Sequence, residues 1–400
     1  MTKQPKRLKI AYLCDYSPLD PSNYSGGNAQ IYQALQKHVG DVDILATDWH
    51  WLEPLRRLIG RLPFSITMRL RWRMHLLLGG LINRGRQKAL AAGDYDVLFA
   101  AYSYHSLYKL EKPAQIISVY TSDATPTTYK QSEIGRNFGS YLSISRLMDP
   151  WIEHTEQVVF SGTDLLFWPS QWVRDASVEL HHLAPEGSVV VPWGANITDP
   201  GPEETAPKLS QKLPINLLLI GRDWFAKGGP VAFDTMQNLR ARGFDAHLTV
   251  IGCTPPDFHR NDFVTVHPNL DKTDPAQLQT FTNALRAAHF MIMPTFESYG
   301  FAMCEASAYG LPVLCWRIGG VPVRDGINGH ALPKTADPED FSNVIEGYIN
   351  DPEKYLSLRK STYAEYSGHL NWDAWGKTVA KEIAMHPRFH HSASNRATPV

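Results

Sequence analysis

Apolar residues recur along this chain in short, nearly unbroken runs, and between them lie stretches whose apolar positions repeat about every 3.6 residues. The runs are Lys9–Cys14, Val42–Ala46, Val97–Ala100, Ile116–Tyr120, Leu165–Trp168 and Val189–Val191. A second series follows at Asn216–Ile220, His247–Ile251, Phe263–Val266, Phe290–Met293 and Val313–Trp316. They are rich in β-branched and aromatic residues and rarely alternate with polar ones, as expected of parallel strands buried on both faces. Asn28–His38, Val231–Arg242 and Ala276–Ala288 read as amphipathic helices between them. Strand and helix in alternation predict α/β architecture with doubly wound parallel sheets.

The two series are separated by WGANITDPGPEETAPKLSQKLP, a Pro-, Gly- and acid-rich stretch without apolar period. This predicts two domains, 1–192 and 193–370, followed by a helix over 371–386. The last residues, 387–400, read as a disordered tail. In such a pair of domains the carboxyl ends of the strands are the expected ligand-binding edges.

Composition narrows the picture only slightly. The chain has 400 residues, 43% hydrophobic and 20% charged, with 39 basic against 40 acidic side chains. No window approaches the roughly 18 apolar residues that a membrane span needs. The apolar run after the basic N-terminus stops at Asp15, too short for a signal-peptide core. The four cysteines, Cys14, Cys253, Cys304 and Cys315, show no metal-ligand spacing and read as small buried hydrophobes. They fit a reducing, cytoplasmic setting.

The segment Met293–Glu305 concentrates the chemistry. A strand ends in Pro294, Glu297 follows, a turn at Gly300 opens a helix, and Glu305 comes eight residues after Glu297. Eight helical residues rotate about 800°, roughly 80° from eclipsed, so both carboxylates can serve one site. The amides of Ser298, Tyr299, Gly300 and Phe301 at the helix start form a candidate anion pocket. The plainer alternatives are a helix-dipole role for Glu297 and a solvated surface position for Glu305. Upstream, Gly221-Arg222 ends a strand and Lys227-Gly228-Gly229 begins a helix, two cations spaced to suit a diphosphate. In the first half, Ser25-Gly26-Gly27-Asn28 is a Gly-rich loop after the first strand, though neither a GxGxxG fingerprint nor a Walker loop.

Taken together, Glu297…Glu305, the Gly-Arg…Lys-Gly pair and Gly310-Leu311-Pro312-Val313…Gly319-Gly320-Val321-Pro322 resemble the retaining glycosyltransferases of family 4. WPSQWVRDASVE at 168–179 and VVVPWGAN at 189–196 extend the likeness, which is strongest over 215–332. The resemblance implies the GT-B fold, with an acceptor-binding first domain and a donor-binding second one. It implies that Arg222 and Lys227 hold a donor diphosphate, that Gly26 and Gly27 let backbone approach it, and that Glu297 contacts the donor sugar. Glu305 would accept hydrogen bonds from the nucleotide's ribose. Asp123 would stand where many relatives carry a His, although an Asp in Ser122-Asp123-Ala124-Thr125 is also ordinary turn chemistry. The Glu that relatives carry after Gly-Gly-Val-Pro has no counterpart.

The implied activity is transfer of a sugar, with retention, from a UDP-, GDP- or ADP-linked donor to a hydroxyl of a glycan or glycolipid. The nucleotide sugar is a co-substrate, and no cofactor or metal is expected. A GT-B nucleotide-sugar epimerase and a non-catalytic nucleotide-sugar-binding protein are the alternatives. The DxD matches at Asp41–Asp43 and Asp94–Asp96 each precede an apolar run and read as turn chemistry rather than metal ligands.

One stretch breaks the charge balance. Residues 49–92 carry nine basic side chains and one acid, Glu53, so this stretch holds +8 and the rest of the chain −9. Arg56, Arg57, Arg61, Arg69, Arg71 and Arg73 interleave with Trp, Leu, Ile and Phe. That pattern suits an anionic membrane surface or a charged acceptor, placing the protein peripherally on the inner membrane face. The alternative is a helical part of the first domain whose arginines snorkel around core residues. No nucleic-acid-binding module is visible.

Overall fold

The computed structural model describes residues 7–137, 143–202 and 207–389. In chain order the first elements are β1 (Leu8–Leu13), α1 (Gly27–His38), β2 (Gly40–Ile44), α2 (Glu53–Gly60), α3 (Phe64–Ile82), α4 (Arg84–Ala92) and β3 (Val97–Ala101). Next come α5 (Tyr104–Leu107), β4 (Ile117–Thr121), α6 (Pro126–Gln131), α7 (Glu133–Asn137), α8 (Asp149–Ser161), β5 (Leu165–Trp168), α9 (Gln171–His181) and β6 (Ser188–Val190). After the break follow β7 (Ile215–Ile220), α10 (Gly229–Ala241), β8 (Ala246–Ile251), β9 (Val264–His267), α11 (Pro275–Ala287), β10 (Phe290–Met293) and α12 (Phe301–Ala308). The chain ends with β11 (Val313–Trp316), β12 (Gly329–Leu332), α13 (Pro338–Ile349), α14 (Pro352–Gly368) and α15 (Trp372–Met385).

The strands form two six-stranded sheets, and every pairing between them is parallel. Each sheet is the centre of one compact unit. The first unit takes Met1–Gln131, Tyr141–Pro192 and Trp372–Val400; the second takes Ser132–Ser140 and Trp193–Asn371.

In the first unit the strand order is β2-β1-β3-β4-β5-β6, so the winding reverses between β1 and β3. Every residue of β3 and β4 is buried, which is why these strands read as continuous apolar runs. Tyr120, Phe160, Trp168 and Val173 anchor its core, and a smaller cluster of Trp49, Ile59 and Ile82 lies under the basic stretch. α15 packs on α1: a Cβ at Gly376 would meet His38 and the Ala34 carbonyl, and Asp373 takes Lys37 at 2.7 Å and His38 at 2.9 Å.

In the second unit the order is β12-β11-β10-β7-β8-β9, with the reversal between β7 and β10. Phe290, Ile292, Leu217, Leu219 and Phe341 are wholly buried in its core. Ligands of doubly wound sheets bind past the carboxyl ends of the strands at this reversal, so the topology alone marks the loops after β7 and β10.

Four readings of the sequence need correction. β12 was not anticipated; it is a four-residue edge strand, Gly-His-Ala-Leu, that lacks an apolar run. Asp41 and Asp43 lie inside edge strand β2 rather than before it, with Asp41 3.0 Å from Arg7 and Asp43 accepting from the Tyr95 hydroxyl at 3.1 Å. α7 belongs with the second unit, where Lys334 lies 3.2 Å from Glu133, so 1–192 is not one domain. Residues 387–389, expected in a disordered tail, are ordered enough for Arg388 to contact Asp164 at 3.0 Å; the rest of that expectation, 390–400, lies outside the described residues.

Candidate functional site

The second unit brings two of the predicted donor residues, Lys227 and Glu297, together. Arg222 stands two residues past β7, exposed, and among the described residues it has no ion-pair partner. Lys227 follows just before α10, and its ammonium is in direct contact with the Glu297 carboxylate, which extends from the loop after β10. Both side chains are only about one-fifth exposed, 23% and 21%. Because β7 and β10 are adjacent, residues 70 apart in sequence become neighbours at the winding reversal.

Close backbone contacts fix these loops. A side chain on Gly221 would strike Lys227, so the bare glycine lets the lysine fold across the strand end. Gly319 has φ +64 and lies against the Glu297 carbonyl, while the Gly320 amide donates to the Ser298 carbonyl at 3.1 Å. A Cβ there would both strain the backbone and push the Glu297 loop outward. Tyr299 is buried, its hydroxyl donating to the Trp193 carbonyl at 2.7 Å, and Trp193 stacks on Phe301 at 5.6 Å. No side chain caps the start of α12.

Glu305 is not a solvated surface acid. It lies on the second turn of α12, 5% exposed, and both its oxygens are 3.0 Å from the ammonium of Lys272. Burial pushes its carboxyl above the usual carboxylate range, and Lys272 pulls against that. Nothing in the sequence pattern singled out Lys272, which sits in a polar loop before α11.

In the first unit the Gly-rich loop is strained. Tyr24, Ser25 and Gly26 are successively left-handed, with φ of 52, 55 and 88, immediately before α1. Non-glycine residues there cost on the order of 1–3 kcal/mol each. The Tyr24 ring is stacked on Tyr102, another left-handed residue (φ 60), with centroids 4.0 Å apart and planes at 7°. Such stacking returns about 0.5–1.5 kcal/mol. Asp123 lies two residues past β4, half-buried; burial pushes the phenols of Tyr102 and Tyr120 up, and its negative charge adds to this.

Sequence reasoning missed a buried polar cluster at the winding reversal of this unit. Asp15 follows β1, and its Oδ2 is 2.6 Å from His105 Nε2, while Oδ1 is 3.5 Å from His75 Nδ1. Their nearest side-chain atoms lie within 4.8 Å of one another, close enough for a metal ion. The hydrogen atoms decide otherwise. Arg86 Nη1 is 3.1 Å from His75 Nε2, and a guanidinium can only donate. Nε2 therefore accepts and the proton sits on Nδ1, which stands 3.5 Å from Asp15 Oδ1 and presents it an N–H rather than a lone pair, without closing a hydrogen bond. The group is a relay running Arg86, His75, Asp15, His105. Burial would raise the Asp15 carboxyl, but His105 and His75 outweigh it and hold the group well below its usual range. Burial also lowers His75 to about 4.

The basic stretch divides. Arg73 is buried with its guanidinium 4.3 Å from the Trp72 ring centroid, and Arg71 donates to the Asp15 carbonyl at 2.8 Å while covering Tyr16. Arg56 is half-buried against Glu53 at 2.6 Å. These three are tied into the unit and do not form an outward basic face. Arg57 and Arg61 remain exposed, beside the exposed side chains of Trp51, Leu58, Leu62 and Ile66. The Arg69 side chain lies outside the described residues. No described helix is long and apolar enough to cross a membrane.

Two parallel, doubly wound units, with cation and carboxylate facing each other past the second sheet's reversal, define the GT-B class of protein. Residues 214–351 match the family described as Glycosyl transferases group 1. Among curated proteins, the chain is 24% identical over 239 residues to a D-inositol 3-phosphate glycosyltransferase of Corynebacterium kroppenstedtii. The match covers 54% of this chain and 52% of that one, so the chain spans about half the length of such relatives. Among solved structures it is similar to sucrose-phosphate synthase of Thermosynechococcus elongatus, with TM-score 0.61 and 17% identity over 98% of this chain and 100% of that one. Anabaena HepE, solved with UDP and glucose, gives TM-score 0.57 and 13% identity over 94% and 100%.

Proposed function

We propose that the protein is a retaining glycosyltransferase that moves a sugar from a nucleotide diphosphate to a hydroxyl of a glycan or lipid-linked acceptor. The observation that carries this reading is the contact of Lys227 with Glu297 past adjacent strands β7 and β10. A carboxylate placed there can grip sugar hydroxyls while two cations, Lys227 and Arg222, take the diphosphate. Charge grows on the leaving phosphate as the glycosidic C1–O bond breaks, and Arg222 and Lys227 offset it in place, so the reading needs no metal ion. The acceptor oxygen bonds to C1 on the face the phosphate leaves, and its proton passes to a phosphate oxygen. In this scheme Glu297 orients the sugar and Glu305 accepts from the ribose. By the family resemblance, Gly26, the last left-handed residue before α1, and Gly27, the first residue of that helix, are assigned to the diphosphate through their backbone. Asp123 is assigned to a donor-sugar hydroxyl.

A UDP-type donor is supported by the similar Anabaena protein, which was solved with UDP and glucose. For the acceptor side, the exposed patch of Trp51, Leu58, Leu62 and Ile66 flanked by Arg57 and Arg61 is assigned to an anionic membrane face. On this reading the protein acts peripherally, on the cytoplasmic face of an anionic membrane.

The test is thermal stabilisation and product formation with UDP-, GDP- and ADP-sugars, because a donor that binds only the folded protein raises its melting temperature. One donor class should stabilise the protein and yield a product with the donor's anomeric configuration. An epimerised nucleotide sugar would mean the epimerase reading; binding without turnover against any acceptor would mean a binding protein. No stabilisation by any of the three overturns the proposal.

A further inference from the structure

We infer that Lys272 is the positioning residue that holds Glu305 in place as the hydrogen-bond acceptor for the donor's ribose hydroxyls. This rests on the donor-binding reading of the second unit and adds to it a residue outside every motif of the sequence.

The geometry is specific. Glu305 is 5% exposed, and Lys272 is its one ionic partner among the described residues, placed 3.0 Å from each carboxylate oxygen. A buried carboxylate without a partner is costly and takes up a proton instead, which turns one of its oxygens into a donor. Paired as observed, it stays an acceptor on both oxygens. A carboxylate has about four lone-pair sites. Lys272 occupies two of them, leaving one on each oxygen, and a ribose presents two neighbouring hydroxyls.

Lys272 is itself held from both sides. Asp271 accepts from the Thr273 amide at 2.8 Å and its hydroxyl at 2.7 Å, closing a tight turn around the lysine. Asp274 then caps α11, accepting from Ala276 and Gln277, each at 2.9 Å. The ammonium lies 4.1 Å from the centroid of Phe281, which is buried on α11. A lysine fixed by a turn, a helix cap and an aromatic face costs little further ordering when it binds a carboxylate. With 41% of its side chain exposed, its removal leaves no cavity in the core.

The experiment compares binding of UDP, GDP and ADP with that of their 2′,3′-dideoxy analogues by calorimetry. Native protein, Lys272→Met and Lys272→Arg are each measured. For the nucleotide that binds, the native protein should prefer the ribose form by about tenfold to a hundredfold, the range of hydrogen bonds to a charged group. Lys272→Met should lose that preference to within about twofold by weakening only the ribose form, and Lys272→Arg should restore most of it. In turnover, the donor KM should rise for Lys272→Met with kcat nearly unchanged. If Lys272→Met does not fold, Lys272→Gln carries the same expectation.

A native protein that binds no nucleotide defeats the donor reading and this inference with it. A native protein that binds the ribose and dideoxy forms equally overturns this inference while leaving the donor reading in place. So does a Lys272→Met variant that keeps the full preference or binds the ribose form more tightly.

Discussion

The ammonium of Lys227 touches the carboxylate of Glu297, although one follows the first strand of its sheet and the other the fourth. Neither residue needs the other for the fold: both are partly exposed, and an ion pair of that kind is worth at most about 1 kcal/mol. On the proposed reading, a bound donor separates the pair. Lys227→Ala and Glu297→Gln should each lower transfer by about a hundredfold to a thousandfold, the scale for losing a group that stabilises developing charge. Melting temperature should barely change. Turnover measured beside a thermal melt tests this, and a variant with near-native turnover would remove the pair from the chemistry.

The relay at Asp15 calls for the opposite outcome. Asp15→Ala should destabilise the protein by about 3–5 kcal/mol, because it strands the buried Arg86 guanidinium and two imidazoles. Both Asp15 and His75 have folded pKa values below their unfolded ones, Asp15 by a wide margin and His75 at about 4. Their stabilisation is full above pH 6.5, where His75 is neutral in both states, and fades as the pH falls through 4 and below. Denaturant midpoints from pH 7 to 4 should drop at least as steeply in Asp15→Asn as in the native protein, because the lost carboxylate no longer favours a proton on His75.

Glu156 has the reverse sign. Wholly buried on α8, it accepts from the Thr127 amide at 3.2 Å and faces His181 at 3.7 Å; burial pushes it up to about 8. His181, lowered by burial to about 4, stays neutral beside it. A raised folded pKa means stabilisation that is complete below pH 4.5 and lost as the pH climbs through 8. Glu156→Gln should thus gain on the native protein between pH 5 and 8, read as a widening gap in urea midpoints. A gap that narrows over that range would show the carboxyl ionised in the fold.

The membrane assignment now concerns two arginines. Reversing both, Arg57→Glu with Arg61→Glu, should weaken binding to vesicles containing anionic lipid by about tenfold or more at low salt, given roughly 1 kcal/mol per cation near such a surface. Neutral vesicles should bind weakly in both cases. Arg73→Glu should instead lower the melting temperature, since that guanidinium is buried. Equal vesicle binding by native and reversed proteins would return the basic stretch to a structural role.

The strands were legible because parallel strands buried on both faces must be continuous apolar runs, and eleven of the twelve among the described residues were found that way. β12 escaped because an edge strand needs no such run. Glu297, Lys227 and Arg222 could be singled out as candidates because short-range spacing around a strand end carries the information. Lys272 and the Asp15 relay could not be. Glu305 and Lys272 are 33 residues apart, Asp15 and His105 are 90 apart, and only the folded sheet brings each pair together. Arg71 and Arg73 misled for a related reason: composition counts their charge but not the side of the helix on which they emerge.

The return of α15 to the first unit gives the chain an unusual birth order. The helix that closes over α1 is synthesised after every residue of Trp193–Asn371. A ribosome therefore completes the second unit while the first still lacks a wall of its core, with Trp375 and Val379, both buried in the finished protein, yet to arrive. A frameshift or proteolytic cut near residue 371 would thus leave the second unit whole and injure the first.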